Sequence, residues 1–123
     1  MASLTPYGVL ALLGGLQFKH MICDGPAQTP WMIAGKGTYG AGPGIVHAAI
    51  HVLGTFLVFW FMSVGLTAAL GLAIADGVLH YHIDYAKEST VRRLGLTNRD
   101  RLFWWSLALD QGLHHFFYIG LIA

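Results

Sequence analysis

Charge is the scarcest thing in this chain. Only 11% of its 123 residues are Asp, Glu, Lys or Arg, less than half of the about 25% usual in soluble domains, and the mean hydropathy is positive. A soluble fold of this size would lack the polar surface to cover itself. The formal charge is +1, and no surface of interleaved basic and aromatic residues runs along the chain, so nucleic acid is excluded as a partner. The single cysteine, Cys23, rules out an internal disulfide framework, leaves the redox compartment open and is read as a packing residue. No basic segment precedes the first apolar run after Met1 to Pro6, so that run is not read as a cleaved signal peptide. Repeats, low-complexity tracts and heptads are also missing, and the length suits one domain, residues 1–123.

What the chain does have is long apolar stretches. Thr5-Pro6 starts a helix and Gly25-Pro26 ends it, which predicts a first helix over about 5–24, just long enough to cross a bilayer. The glycine- and proline-rich segment from Gly25 to Gly44 follows; Trp31 and Tyr39 mark it as an interfacial loop or short surface helix at headgroup level. Ile45 to Ala75 contains no charged residue when histidine is neutral. That is too long for one span and predicts a hairpin of helices over about 45–62 and 66–88, turning at Ser63-Val64-Gly65. Glu88 to Asn98 reads as a polar loop with a Gly95 stop, and a last helix over about 98–122 begins with Thr97 or Asn98 as its N-cap and Asp100 in its first turn. The expected fold is therefore all-α: an integral membrane four-helix bundle, up-down-up-down. All seven basic residues lie at or beside the first and third connections. By the positive-inside rule those connections are cytoplasmic and both termini face outward.

Within these apolar helices the polar residues come in pairs four apart: His20 and Asp24, His47 and His51, His80 and Asp84, Asp110 and His114. Residues at that spacing share a helix face. At a rise of about 1.5 Å per residue the first three pairs lie roughly 22–24 Å from the outer side and the fourth roughly 16 Å, all in the inner leaflet. The pair centres on the hairpin, near residues 49 and 82, are symmetric about Gly65, as a common depth requires.

An ionised aspartate facing lipid is costly, so these side chains are expected to face inward and meet. Four helices that each project a ligand pair are how dinuclear metal centres are built into bundles. The candidate ligands are thus His20, Asp24, His47, His51, His80, Asp84, Asp110 and His114. Nitrogen and oxygen donors without thiolate favour Zn, Mn or Fe, and eight ligands suit two ions better than one. A purely structural polar core and a proton or ion pathway are the competing readings. Around the pairs, Asp76 lies one turn deeper than His80 as a partner to hold it. Gln28 and Gln111 are candidates to orient ligands or substrate, and Lys36 and Lys87 to hold an anionic group. His82 and His115 point away from their neighbours' face as flanking or surface histidines. The aromatic runs, such as Phe103-Trp104-Trp105, read as interface belts.

His20-x3-Asp24-x3-Gln28, Lys36, His47-x3-His51, His80-x3-Asp84-x2-Lys87 and Asp110-Gln111-x2-His114 together resemble the domain of unknown function 3307 family, small membrane proteins of bacteria and their phages. The resemblance covers nearly the whole chain. It implies a membrane fold, in the bacterial inner membrane, and no reaction. By analogy alone, the arrangement is similar to small membrane-bound metal-dependent hydrolases. The functional expectation is a metalloprotein hydrolysing a lipid-linked or phosphorylated substrate, with membrane lipids and other membrane subunits as the partners to consider. A di-iron or di-manganese redox centre and an accessory subunit with a structural polar core are its alternatives.

Overall fold

A computed structural model describes residues 5–123; Met1 to Leu4, part of the start read above for a signal segment, lie outside the described residues. Among these residues there are five helices and no strands: α1 Pro6–Asp24, α2 Pro30–Gly35, α3 Gly42–Phe61, α4 Leu66–Arg93 and α5 Arg101–Ile122. The all-α expectation holds, and the glycine-rich connection carries the short surface helix. By length and composition α3 and α4 are apolar enough to cross a membrane.

Local chemistry sets the ends. Thr5 and Thr29 cap α1 and α2 by accepting from the amides of Gly8 and Met32, each with proline as the first helical residue. The hairpin turns where the sequence placed it. Ser63 adopts a left-handed φ of 58°, and the Ser63 and Val64 amides donate back to the carbonyls of Trp60 and Phe59. This double bond pattern closes the last turn of α3. The same motif ends α4 at Gly95 (φ 61°), with the Gly95 and Leu96 amides donating to Arg92 and Val91.

Two boundaries differ from the sequence reading. Helix α4 runs on to Arg93 instead of yielding to a loop at Glu88, because no breaker precedes Gly95 and the Ser89 and Thr90 hydroxyls both donate to the Ala86 carbonyl. The N-cap of α5 is Asp100, not Thr97 or Asn98. Its carboxylate folds back to accept from the Thr97 amide and hydroxyl at 2.7 and 2.9 Å, which holds the Asp100 carboxyl below the usual carboxylate range.

The four long helices close a ring in which α1 packs on α3, α3 on α4, α4 on α5 and α5 on α1, with α2 resting on α3. Each turns one stripe inward. On α3 it is Gly44, His47, Ala48, His51, Thr55 and Phe59; on α5 it is Asp110, His114, Tyr118 and Leu121. These stripes change character along the ring's axis. Toward the Ser63 turn they build an apolar core of Leu12, Leu16, Phe59, Ala69, Tyr118 and Leu121, and toward the other end they are histidine and aspartate. Helices α3 and α4 approach closely at Gly77, where a Cβ would lie 2.2 Å from Val52 Cγ2 and 3.3 Å from the Ala48 carbonyl oxygen.

The outer faces are apolar on every long helix. Phe18, Leu53, Phe61, Val78, Trp104, Trp105 and Phe116 are among the exposed large side chains.

Candidate metal centre

Five buried imidazoles turn their Nε2 edges to two carboxylates. Asp24, at the last turn of α1, has Oδ1 2.9 Å from His51, 3.0 Å from His47 and 3.6 Å from His80, while its Oδ2 lies 3.1 Å from His20. Asp84, on α4, has Oδ2 3.3 Å from His80 and 3.4 Å from His47, and Oδ1 3.3 Å from His114. The four i, i+4 pairs therefore meet at one level, as their spacing and depth predicted.

Two groups have the proximity that a metal ion requires. Asp24, His47, His51 and His80 form one, and His80, Asp84 and His114 the other; within each, the donor atoms lie within 4.8 Å of one another. His80 belongs to both, but its Nε2 has a single in-plane lone pair. That nitrogen could therefore serve only one ion, and a second would have to rest on Asp84, His114 and carboxylate oxygens. The rings of His51, His80 and His114 stack, with centroids 3.5 and 4.1 Å apart, which aligns their Nε2 edges.

The Nε2 atoms of His47 and His80 face each other at 3.0 Å, so at most one of them carries a proton between them. The opposite nitrogens, His47 Nδ1 and His80 Nδ1, are buried with no hydrogen-bond partner among the described residues. A metal-binding ring and a ring in a hydrogen-bonded network both use this second nitrogen, so it favours neither.

His20 and Asp110 fall outside the two groups and flank them. His20 links Asp24 to Tyr118, whose hydroxyl is 2.8 Å from Nδ1, and to Gln111 Oε1 at 3.0 Å. Asp110 Oδ1 is 3.3 Å from His114 Nε2, and its Oδ2 accepts from Gln111 at 3.1 Å. Asp110 meets His114 at the same Nε2 that faces Asp84, so it stands at the converging edge of the ring, whereas Tyr118 and Gln111 hold His20 from its sides.

The remaining predicted residues divide. Lys36 reaches Asp84 Oδ2 at 2.8 Å and also donates to Gln28 Oε1, while Gln28 donates to the Asp24 carbonyl. Lys87 pairs with its neighbour Glu88 at 2.5 Å. A cavity of about 380 Å³ opens here, lined by Asp24, Asp84, Lys36, Lys87, Gln28 and Gln111 among others, so the centre has an open side. His82 is exposed and bonded to the Val78 carbonyl and the Tyr39 hydroxyl; it stays off the site, as read. His115 is half-buried with its ring centroid 5.2 Å from that of His20. Cys23 is buried, with its thiol toward the Ile50 carbonyl.

Asp76 departs from its expected role. Its Oδ2 accepts from Lys19 at 2.6 Å and from the Thr55 hydroxyl at 2.5 Å instead of holding His80. Lys19, counted above among the surface basic residues, is only 6% exposed, and its ammonium lies 3.1 Å from His51 Nδ1. Lys19, Thr55 and Tyr118 are the buried polar residues that the sequence reading missed. Spacing carried the signal, since Leu12, Leu16, Lys19 and Cys23 form one helical stripe and Tyr118 is one turn beyond His114.

The profile of the family described as "Protein of unknown function (DUF3307)" matches residues 12–123, a span that contains every side chain of this centre. The chain belongs to the DUF3307 family. Neither a curated protein nor a solved structure matches it.

Proposed function

We propose that this DUF3307 protein is a membrane-spanning four-helix bundle that binds one or two divalent transition metals, Zn, Mn or Fe, and hydrolyses a lipid-linked or phosphorylated substrate. The observation that carries the reading is an inside-out polarity: large apolar side chains cover the outer faces while ten polar or charged residues are buried within. A soluble protein arranges these the other way. Six of the buried or half-buried groups, Asp24, His47, His51, His80, Asp84 and His114, are the ligands. His20 and Gln111 flank them.

The exposed arginines Arg92, Arg93, Arg99 and Arg101 all lie at the α4–α5 connection, which supports a cytoplasmic face there and outward termini; the membrane we propose is the bacterial inner membrane. A divalent ion at the centre supplies a water of lowered pKa and polarises the ester. In the reaction a water oxygen bonds to phosphorus and the ester P–O bond breaks. Asp110, at the chamber wall, takes the water's proton and returns it to the departing alkoxide.

Metal analysis of protein purified without chelator tests this reading. Stoichiometric Zn, Mn or Fe that disappears in His47→Ala is the expected result, and no metal above background sinks it. The buried Tyr118 phenol beside His20 favours a second reading, a di-iron or di-manganese redox centre; that reading requires iron or manganese with a visible, Mössbauer or paramagnetic signal, and zinc alone removes it.

A further inference from the structure

A second groove lies beside the polar chamber. Two of the chamber's lining residues, Lys87 and Asp110, also line this groove of about 370 Å³ between α4 and α5, whose other walls include Ile83, Ala86, Leu109 and Leu113. That groove contains two hydroxyls, Thr90 and Ser106, but both donate within their own helices, to the carbonyls of Ala86 and Phe103 at 2.7 Å. Its wall is therefore hydrocarbon in character, and it runs along the apolar outer face.

The chamber has the opposite character. Four carboxylates, Asp24, Asp84, Glu88 and Asp110, stand against Lys36 and Lys87. One divalent ion balances that lining and a second makes it positive, which suits a phosphate but not an ammonium head group. We infer that the substrate is a single-chain amphiphile whose phosphorylated head enters the chamber and whose hydrocarbon chain lies in the α4–α5 groove. This rests on the metal reading above and adds to it the substrate class and the path of the chain.

The test uses the full-length protein in liposomes and a hexadecyl phosphate probe with a photoreactive diazirine near the chain end, with metal content measured on the same sample. Crosslinks are expected at Ile83, Ala86, Leu109 or Leu113 and not at Ile45 or Ile74, which lie on a separate apolar groove of α3 and α4. Labelling should fall at least fivefold in Ala86→Leu, which fills the groove from an exposed position. It should also fall with excess unlabelled hexadecyl phosphate, and with inorganic phosphate or butyl phosphate at higher concentration, but not with hexadecanol. Labels scattered round all four helices, insensitivity to Ala86→Leu, or stronger competition by hexadecyltrimethylammonium overturns the inference. Metal-replete protein with scattered labels defeats the inference alone. Metal-free protein labelled in the groove defeats the metal reading and, with it, the phosphorylated head in the chamber, because the lining without ions is net negative.

Discussion

The two halves of the helix ring are built on the same inward stripes and behave as different materials. In the half nearer Ser63, Leu12, Leu16, Phe59, Ala69 and Leu121 interlock, and each is held by the shape of its neighbours. In the other half His47, His51, His80, Asp24 and Asp84 converge on points rather than surfaces. Apolar packing tolerates a change of residue if volume is kept, whereas a charged cluster tolerates none of its members being removed alone. The helices supply identical scaffolding to both; the difference lies in what replaces water at the centre.

The boundary between the halves is the first place to break the comparison. Lys19 and Asp76 are both buried and 2.6 Å apart, and removing either leaves an unpaired buried charge. Lys19→Met should destabilise the fold by about 3–5 kcal/mol, read by denaturant or thermal unfolding in detergent. The double variant Lys19→Met, Asp76→Leu should recover much of that loss; equal instability of the single and double variants would show that the pair is not the cause. Next, Leu16→Ala in the apolar half should cost about 2–5 kcal/mol while leaving metal stoichiometry unchanged. A loss of metal in Leu16→Ala would mean that the halves are not separable.

Asp110→Asn sharpens the contrast from the polar side. It keeps the volume and removes the carboxylate beside His114, so metal affinity should drop about 10–100-fold with a smaller change in unfolding than Leu16→Ala. The smallest effect belongs to a group remote from both halves. Asp100 is held below the usual carboxylate range by Thr97, so its contribution to the start of α5 is complete above about pH 4, the unfolded value, and is lost as pH falls through the folded one. The Thr97 amide, which donates to that carboxylate, should lose protection relative to its intrinsic exchange rate as pH falls in the native chain. In Asp100→Asn that acid-dependent step should be absent.

The four long helices and the meeting of their pairs were legible because both follow from period and rise. Apolar runs fix length, i, i+4 spacing fixes a face, and equal depth fixes a level. The Ser63 turn was legible for the same reason, since only a reversal there gives His47 and His80 a common level. Other features depend on contacts far apart in the chain. Lys19 resembles any residue that snorkels from a helix end until Asp76, 57 positions away, is brought against it. Asp76 in turn sits on the His80 face, and only the packing of α1 decided that its partner is Lys19. The extension of α4 past Glu88 was hidden by a polar composition that resembles a loop, while the true stop was Gly95.

Gly77 sets a clearance in the histidine cluster that none of the histidines controls. It stands three residues before His80 and touches α3 beside Ala48, the neighbour of His47, at a point where one added methyl would meet Val52 at 2.2 Å. The separation of His47 and His80 is therefore gauged by backbone contact just outside the site. A substitution at Gly77 would change the separation of the imidazoles while leaving every donor residue in the sequence.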